Sequence, residues 1–137
     1  MRFVAVFLAL SLTACATQPI TIDQASAVPS FRVLAPQWLS QAPYTGSLII
    51  KRDRGFMGSA CTIRVFIDAM PVADLAPAEK VELFVGFGEH IVGATSNGIL
   101  CGGGAFEAAV VISPERQKIL RIASGQSGDI YLQPSAF

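Results

Sequence analysis

The parts of this sequence able to do chemistry are three cysteines (Cys15, Cys61, Cys101), one histidine (His90), a short charged run and two glycine-rich loops. Two cysteines without CxxC spacing and a single imidazole make a poor zinc set, because structural zinc takes four closely organised ligands. Nucleophilic catalysis needs a nucleophile, a base and an orienting group, and His90 has neither a second histidine nor a GxSxG elbow to work with. It follows a Gly-Glu pair at the head of a strand-like run, where a turn or strand-edge role is expected. Asp68 and Asp74 lie in turn positions, where aspartate bonds backbone more often than it forms a glycosidase carboxylate pair. Gly102, Gly103 and Gly104 are followed by no P-loop lysine and open no helix, so a loop rather than a phosphate cradle is expected.

Two candidate binding features remain. Lys51, Arg52 and Arg54, with Asp53 among them, read as a solvated strand end whose ligand would be lipopolysaccharide phosphate or another anionic envelope polymer. Ser124, Gly125, Ser127 and Gly128 belong to a Ser/Gly loop, SGQSGDIY (124–131). No cofactor and no metal are expected. Ten cations against ten carboxylates in 137 residues leave no net field, which argues against nucleic acid as a partner. With 52% apolar and 15% charged residues the chain is too hydrophobic to be disordered, and its length suits one domain.

The amino terminus has the layout of a secretory signal peptide. Met1 and Arg2 are followed by an apolar run over residues 3–10, too short to span a bilayer, which takes about 20 apolar residues. The residues that follow, Leu12, Thr13, Ala14 and Cys15, resemble the lipobox of bacterial lipoproteins. That resemblance implies removal of residues 1–14, a diacylglycerol on the Cys15 sulfur and an acylated (palmitate-type) amino group, hence a stable membrane anchor. Residue 16 is Ala rather than Asp, which in that family implies the outer membrane, with the domain facing the periplasm. If Cys15 carries lipid, Cys61 and Cys101 are left as a pair in an oxidising compartment, and a disulfide is expected ahead of free thiols or redox chemistry. Closing a loop of about 40 residues restricts the unfolded chain by roughly 4 kcal/mol in the loop-entropy picture.

Residues 15–45 read as a tether. Pro19, Pro29, Pro36 and Pro43 stand among Ser, Thr, Gln and Ala without helical or strand period, and as a coil the segment would span on the order of 30 Å. Phe31, Trp38, Leu39 and Tyr44 are larger and more apolar than a solvated linker needs, so its second half is open to lying on the domain, with a short helical turn in RVLAPQWLSQ.

Over residues 46–137 eight short β runs alternate with turn residues: 47–52, 61–68, 72–75, 80–87, 90–95, 105–113, 117–124 and 130–133. In CTIRVFID the phase puts Cys61, Ile63, Val65 and Ile67 on the core side. Spacing of this kind predicts an all-β sandwich of seven or eight short antiparallel strands. The stretch 47–94 resembles the small β-sandwich domains of bacterial lipoproteins in the DUF2846 and PEGA-like groups, through the strand ending RVFIDA and the Gly88-Glu89-His90 turn. The resemblance implies a transthyretin-like or immunoglobulin-like sandwich without catalysis, and Ala69 stands where that pattern has Gly. SGQSGDIY is faintly similar to the loop that lysozyme-inhibitor lipoproteins insert into their target. The expected function is a non-catalytic binding or accessory module of the envelope with a protein partner there; the alternative is an inhibitor of a lysozyme-like or other hydrolytic enzyme.

Overall fold

The computed structural model describes residues 17–55 and 58–137; Cys15 and the leader 1–14 lie outside the described residues. The run CTIRVFID forms a strand, Thr62–Ile67, with the phase its alternation dictates: Ile63, Val65 and Ile67 are buried, while Thr62, Arg64 and Phe66 face outward. All eight expected strands form, and a two-residue strand precedes them. In chain order they are β1 (Ser26–Ala27), β2 (Thr45–Arg52), β3 (Thr62–Ile67), β4 (Met70–Leu75), β5 (Glu79–Gly86), β6 (Gly88–Asn97), β7 (Phe106–Ile112), β8 (Lys118–Ser124) and β9 (Ile130–Pro134).

They make a sandwich of a five-stranded sheet, order β1-β5-β2-β8-β9, and a four-stranded sheet, order β4-β3-β6-β7. The inward residues of both sheets, among them Leu48, Ile50, Leu83 and Ile122 from one and Val65, Leu75, Val92 and Ala94 from the other, form one core. Each large aliphatic side chain so buried contributes about 1.5–3 kcal/mol. The expectation of a purely antiparallel sandwich needs correction, because β2 pairs with β8 in parallel and β1 pairs with β5 in parallel. β2 and β8 are joined through the whole of the second sheet, and so long a connection lets two neighbours run the same way.

The β3–β4 hairpin turns on Asp68 and Ala69, both at positive φ (49° and 67°). Two-residue hairpins favour this conformation because it matches the strand twist, and Asx-Gly is the pair that adopts it most easily. Ala69 holds it without glycine's freedom, against a cost of roughly 1–2 kcal/mol for an L-residue in that region. Ala69→Gly is therefore expected to stabilise the protein by up to about 1 kcal/mol, the remainder being lost to the greater entropy of the unfolded glycine. A urea midpoint that stays put or falls would argue against strain at this turn.

Residues 17–44 are part of the packed body and not a free coil. Ile20, Ala25 and Ala35 are buried. Ser26–Ala27 lines the edge of β5, and Leu34 donates its amide to the Val72 carbonyl (2.8 Å) on β4, so the segment meets one edge of each sheet in turn. Covered edges cannot recruit a foreign strand. Arg32 locks the path through a fork onto the Glu79 carboxylate (2.5 and 2.8 Å) and a bond to the Asp74 carbonyl (3.1 Å). The expected helical turn resolves into two short 3-10 turns, Ser30–Arg32 and Pro36–Leu39, and Trp38 of the second packs against the core.

Candidate functional site

The structure gathers most of the sequence-predicted site residues at one end of the sandwich, here the upper end, where β2, β4, β6 and β8 finish and β3 begins. It does not leave them free. Lys51 and Arg52 are buried (0% and 2% exposed), as is Asp53 (0%), and of the basic run Arg54 alone is exposed. The expected solvated strand end is thus corrected: three of its four residues are interior. The alternation of β2 sends Lys51 outward and Arg52 inward, but both faces are covered here. Lys51 donates from Nζ to the carbonyls of Ile20 and Phe137, with the Phe137 ring 4.7 Å away. Arg52 donates to the carbonyls of Cys61 (2.6 Å), Gly58 (2.8 Å) and Leu75 (2.9 Å), tying the upper ends of β3 and β4 to β2. Burial pulls its pKa down to about 10, against the charge of Glu79, so it stays protonated at neutral pH. Burial also lowers the Lys51 pKa, which Asp53 opposes and Arg121 reinforces. Asp53 accepts from the Arg121 guanidinium, Nε lying 3.2 and 3.3 Å from its oxygens and Nη2 closer still. Side chains engaged in this way act as internal fasteners, not as a docking patch for polyanions.

Cys61 and Cys101 form a disulfide with their Cα atoms 6.1 Å apart, linking the loop before β3 to the loop after β6. Ser124 is buried and exchanges hydrogen bonds with Thr17. The loop beyond it is a tight turn in which Gly125 donates to the Asp129 carbonyl (2.9 Å) and Gly128 to the Gly125 carbonyl (3.1 Å); Gln126 and Ser127 are exposed at its tip.

His90 lies at the opposite, lower end. Its Nδ1 is 2.6 Å from Asp68 Oδ2 and its Nε2 is 2.7 Å from the Gly86 carbonyl. Both partners accept, so the arrangement suits the imidazolium form, in which both ring nitrogens donate. Burial lowers its pKa, but the bonds to Asp68 and Gly86 and the Asp68 charge together outweigh it and the net shift is upward. Asp68 is shifted down, chiefly by His90 and then by the Ile91 amide. The raised His90 value stabilises the fold below about pH 6.5 and loses that contribution as pH rises through it; the lowered Asp68 value stabilises above about pH 4 and loses it on acidification. The pair therefore acts between about pH 4 and pH 6.5, modestly, since Asp68 is more than half exposed. Urea titrations from about pH 5.5 to about pH 8.5 should show the wild type losing stability relative to His90→Gln. Parallel pH curves for the two proteins would contradict the imidazolium assignment.

A feature the sequence reading passed over is the outer face of the four-stranded sheet. Cross-strand register lines up Phe66, Gly93 and Glu107 in one row and Ile91 with Ala109 in the next. Phe66, Ile91, Gly93 and Glu107, with Ala69 and Thr95, line a groove of ≈ 300 Å³. Gly93 leaves the floor open beside Phe66, and on the neighbouring strands Arg64 and Asp74 form a bidentate pair (2.8 and 2.9 Å). Val111 and Ile91 add exposed apolar area on this side. The available signal was Phe66, an aromatic on the solvent phase of β3. Among the described residues no group of His, Cys, Asp and Glu could hold a metal ion, and no helix is long and apolar enough to cross a membrane.

No protein-family model, no curated protein and no solved structure matches this chain.

Proposed function

We propose that this chain is a lipid-anchored, non-catalytic binding module of the bacterial cell envelope, held through Cys15 at the outer membrane and facing the periplasm. The observation that carries the binding role is the groove on the outer face of the four-stranded sheet, where Phe66 and Ile91 are presented beside Glu107. Its apolar floor and single carboxylate suit a protein partner offering an apolar side chain next to a cation. The non-catalytic role is supported by His90, whose two nitrogens are both committed to acceptors. The anchor is supported by the lipobox-like LTAC of residues 12–15.

Crosslinking in intact envelopes tests the reading. The wild-type chain is expected to trap a discrete envelope protein, and the double variant Phe66→Ser/Ile91→Ser, which changes outward side chains only, is expected to lose it while melting as a folded protein. An unchanged crosslink in that variant would move the partner away from this face. Mass spectrometry of the mature amino terminus tests the anchor: an uncut chain with an unmodified Cys15 would remove it.

A further inference from the structure

We infer that the upper end of the sandwich rests directly on the lipid headgroups and that Ile99 and Leu100 enter the bilayer surface beside the acyl chains of Cys15. This rests on the anchor reading above and adds to it an orientation and a second membrane contact.

The path of the chain carries the first part. Thr17 is fastened at the upper end: its amide and hydroxyl donate to the Ser124 carbonyl (3.2 Å each) and its Oγ1 accepts the Ser124 amide (2.9 Å). Gln18 bridges to Arg54 with bonds of 2.6 and 3.1 Å. Gly55 lies so close that a Cβ there would come within 2.9 Å of the Thr17 Cα, so the passage depends on glycine. From Cys15 to Thr17 is two residues, which span at most about 7 Å however they run. A headgroup layer is roughly 5–8 Å thick on each side of the hydrocarbon. An acylated Cys15 thus leaves no slack for a tether, and the end bearing Thr17 meets the headgroups.

The loop 98–105 occupies that same end. Arg52 holds the Cys61 carbonyl, Cys61 is bonded to Cys101, and the Cys101 amide donates to the Gly98 carbonyl (3.3 Å), closing a turn with Ile99 and Leu100 at its tip. A Cβ on Gly98 would sit 2.5 Å from the Cys101 sulfur, so this tight turn admits no side chain there. Ile99 and Leu100 are 102% and 96% exposed, the two most exposed large apolar residues described. A single exposed aliphatic is ordinary; two adjacent ones held out by a crosslinked turn form a prepared apolar probe.

Charge completes the argument. Residues 95–106 carry none, so the turn that presents Ile99 and Leu100 has no charge to desolvate; the other loops of this end (17–25, 54–61, 76–78, 125–129) carry Asp23, Arg54 and Asp129. Charges resist approach to hydrocarbon, so the uncharged loop bearing Ile99 and Leu100 is the part of this end suited to lipid. Continuity with the anchored residue favours a bilayer over a protein as the occupant.

The test uses the full chain matured in a bacterial host, with Cys15 acylation verified by mass, reconstituted into phosphatidylethanolamine/phosphatidylglycerol vesicles with and without acyl-chain-brominated lipid. Leu100→Trp is expected to show blue-shifted emission and quenching by brominated lipid beyond that of wild-type Trp38. In the wild-type chain, amide exchange over residues 98–104 is expected to slow in vesicles relative to leader-free Cys15→Ser protein, a readout that needs no change in the loop. Solvent-like, unquenched emission and unaltered exchange in a chain whose Cys15 is acylated would overturn the membrane contact and leave the anchor standing. Protection without quenching, accompanied by a bound envelope protein, would also overturn it by assigning the loop to that protein. A Cys15 without acyl chains would overturn the anchor and the inference together.

Discussion

Val65→Asp leaves the chain unfolded. Val65 is 0% exposed in the middle of β3, in register with Ala73 on one side and Ala94 on the other. Both register partners are alanines, so an ionised carboxylate there has no cation beside it on either neighbouring strand, and the effective cost of an unpaired buried ion is several kcal/mol. The lost valine burial adds about 1.5–3 kcal/mol. Against a total stability of about 5–15 kcal/mol the native state does not survive. Circular dichroism and urea titration of the purified variant check the result. Val65→Ala should remain folded, which separates charge burial from lost volume. A cooperative transition for Val65→Asp within about 1 kcal/mol of wild type would mean that the phase of β3 is misassigned.

Asp53→Ala is expected to cost about 3–5 kcal/mol, the range for removing one partner of a buried ion pair. Asp53 is fully buried against Arg121, and Lys51 stands in register with Arg121 on the adjacent strand. Without the carboxylate two neighbouring cations face each other in a poorly solvated site. The loss should shrink in the double variant Asp53→Ala/Arg121→Met, which removes the orphaned guanidinium while keeping its apolar stem. Equal losses in the single and double variants would show that the ion pair contributes little and that Asp53 matters through shape alone.

These two sites mark what a reader of the sequence could and could not see. Val65 was legible because period-2 alternation in CTIRVFID is a local property, and the same holds for Val81, Leu83 and Val85 in β5. Lys51–Arg54 was misread because charge in a strand ending ordinarily means solvent, and the groups that enclose it come from far away: Ile20, Arg121 and Phe137. The Pro-rich segment before β2 has the composition of a tether, yet it binds through edge-strand amides and the Arg32 fork onto Glu79, neither of which has a periodic signature. The groove around Phe66 depends on three strands meeting in register at Gly93 and Glu107, a relation that exists only once the sheet has formed.

The parallel pairing of β2 with β8 has a kinetic consequence. Ile50 meets Leu120, so the central strand of the larger sheet waits for a neighbour that lies about 70 residues further along the chain. Contacts so distant along the sequence slow folding, because a large loop must close before they contribute. A chain emerging amino end first, from a ribosome or through a narrow pore, therefore keeps β2 half-paired until residues beyond Lys118 are free. Its acquisition of structure is coupled to release of the stretch that forms β8, and truncation before β8 should yield a protease-sensitive product however intact the preceding sequence is.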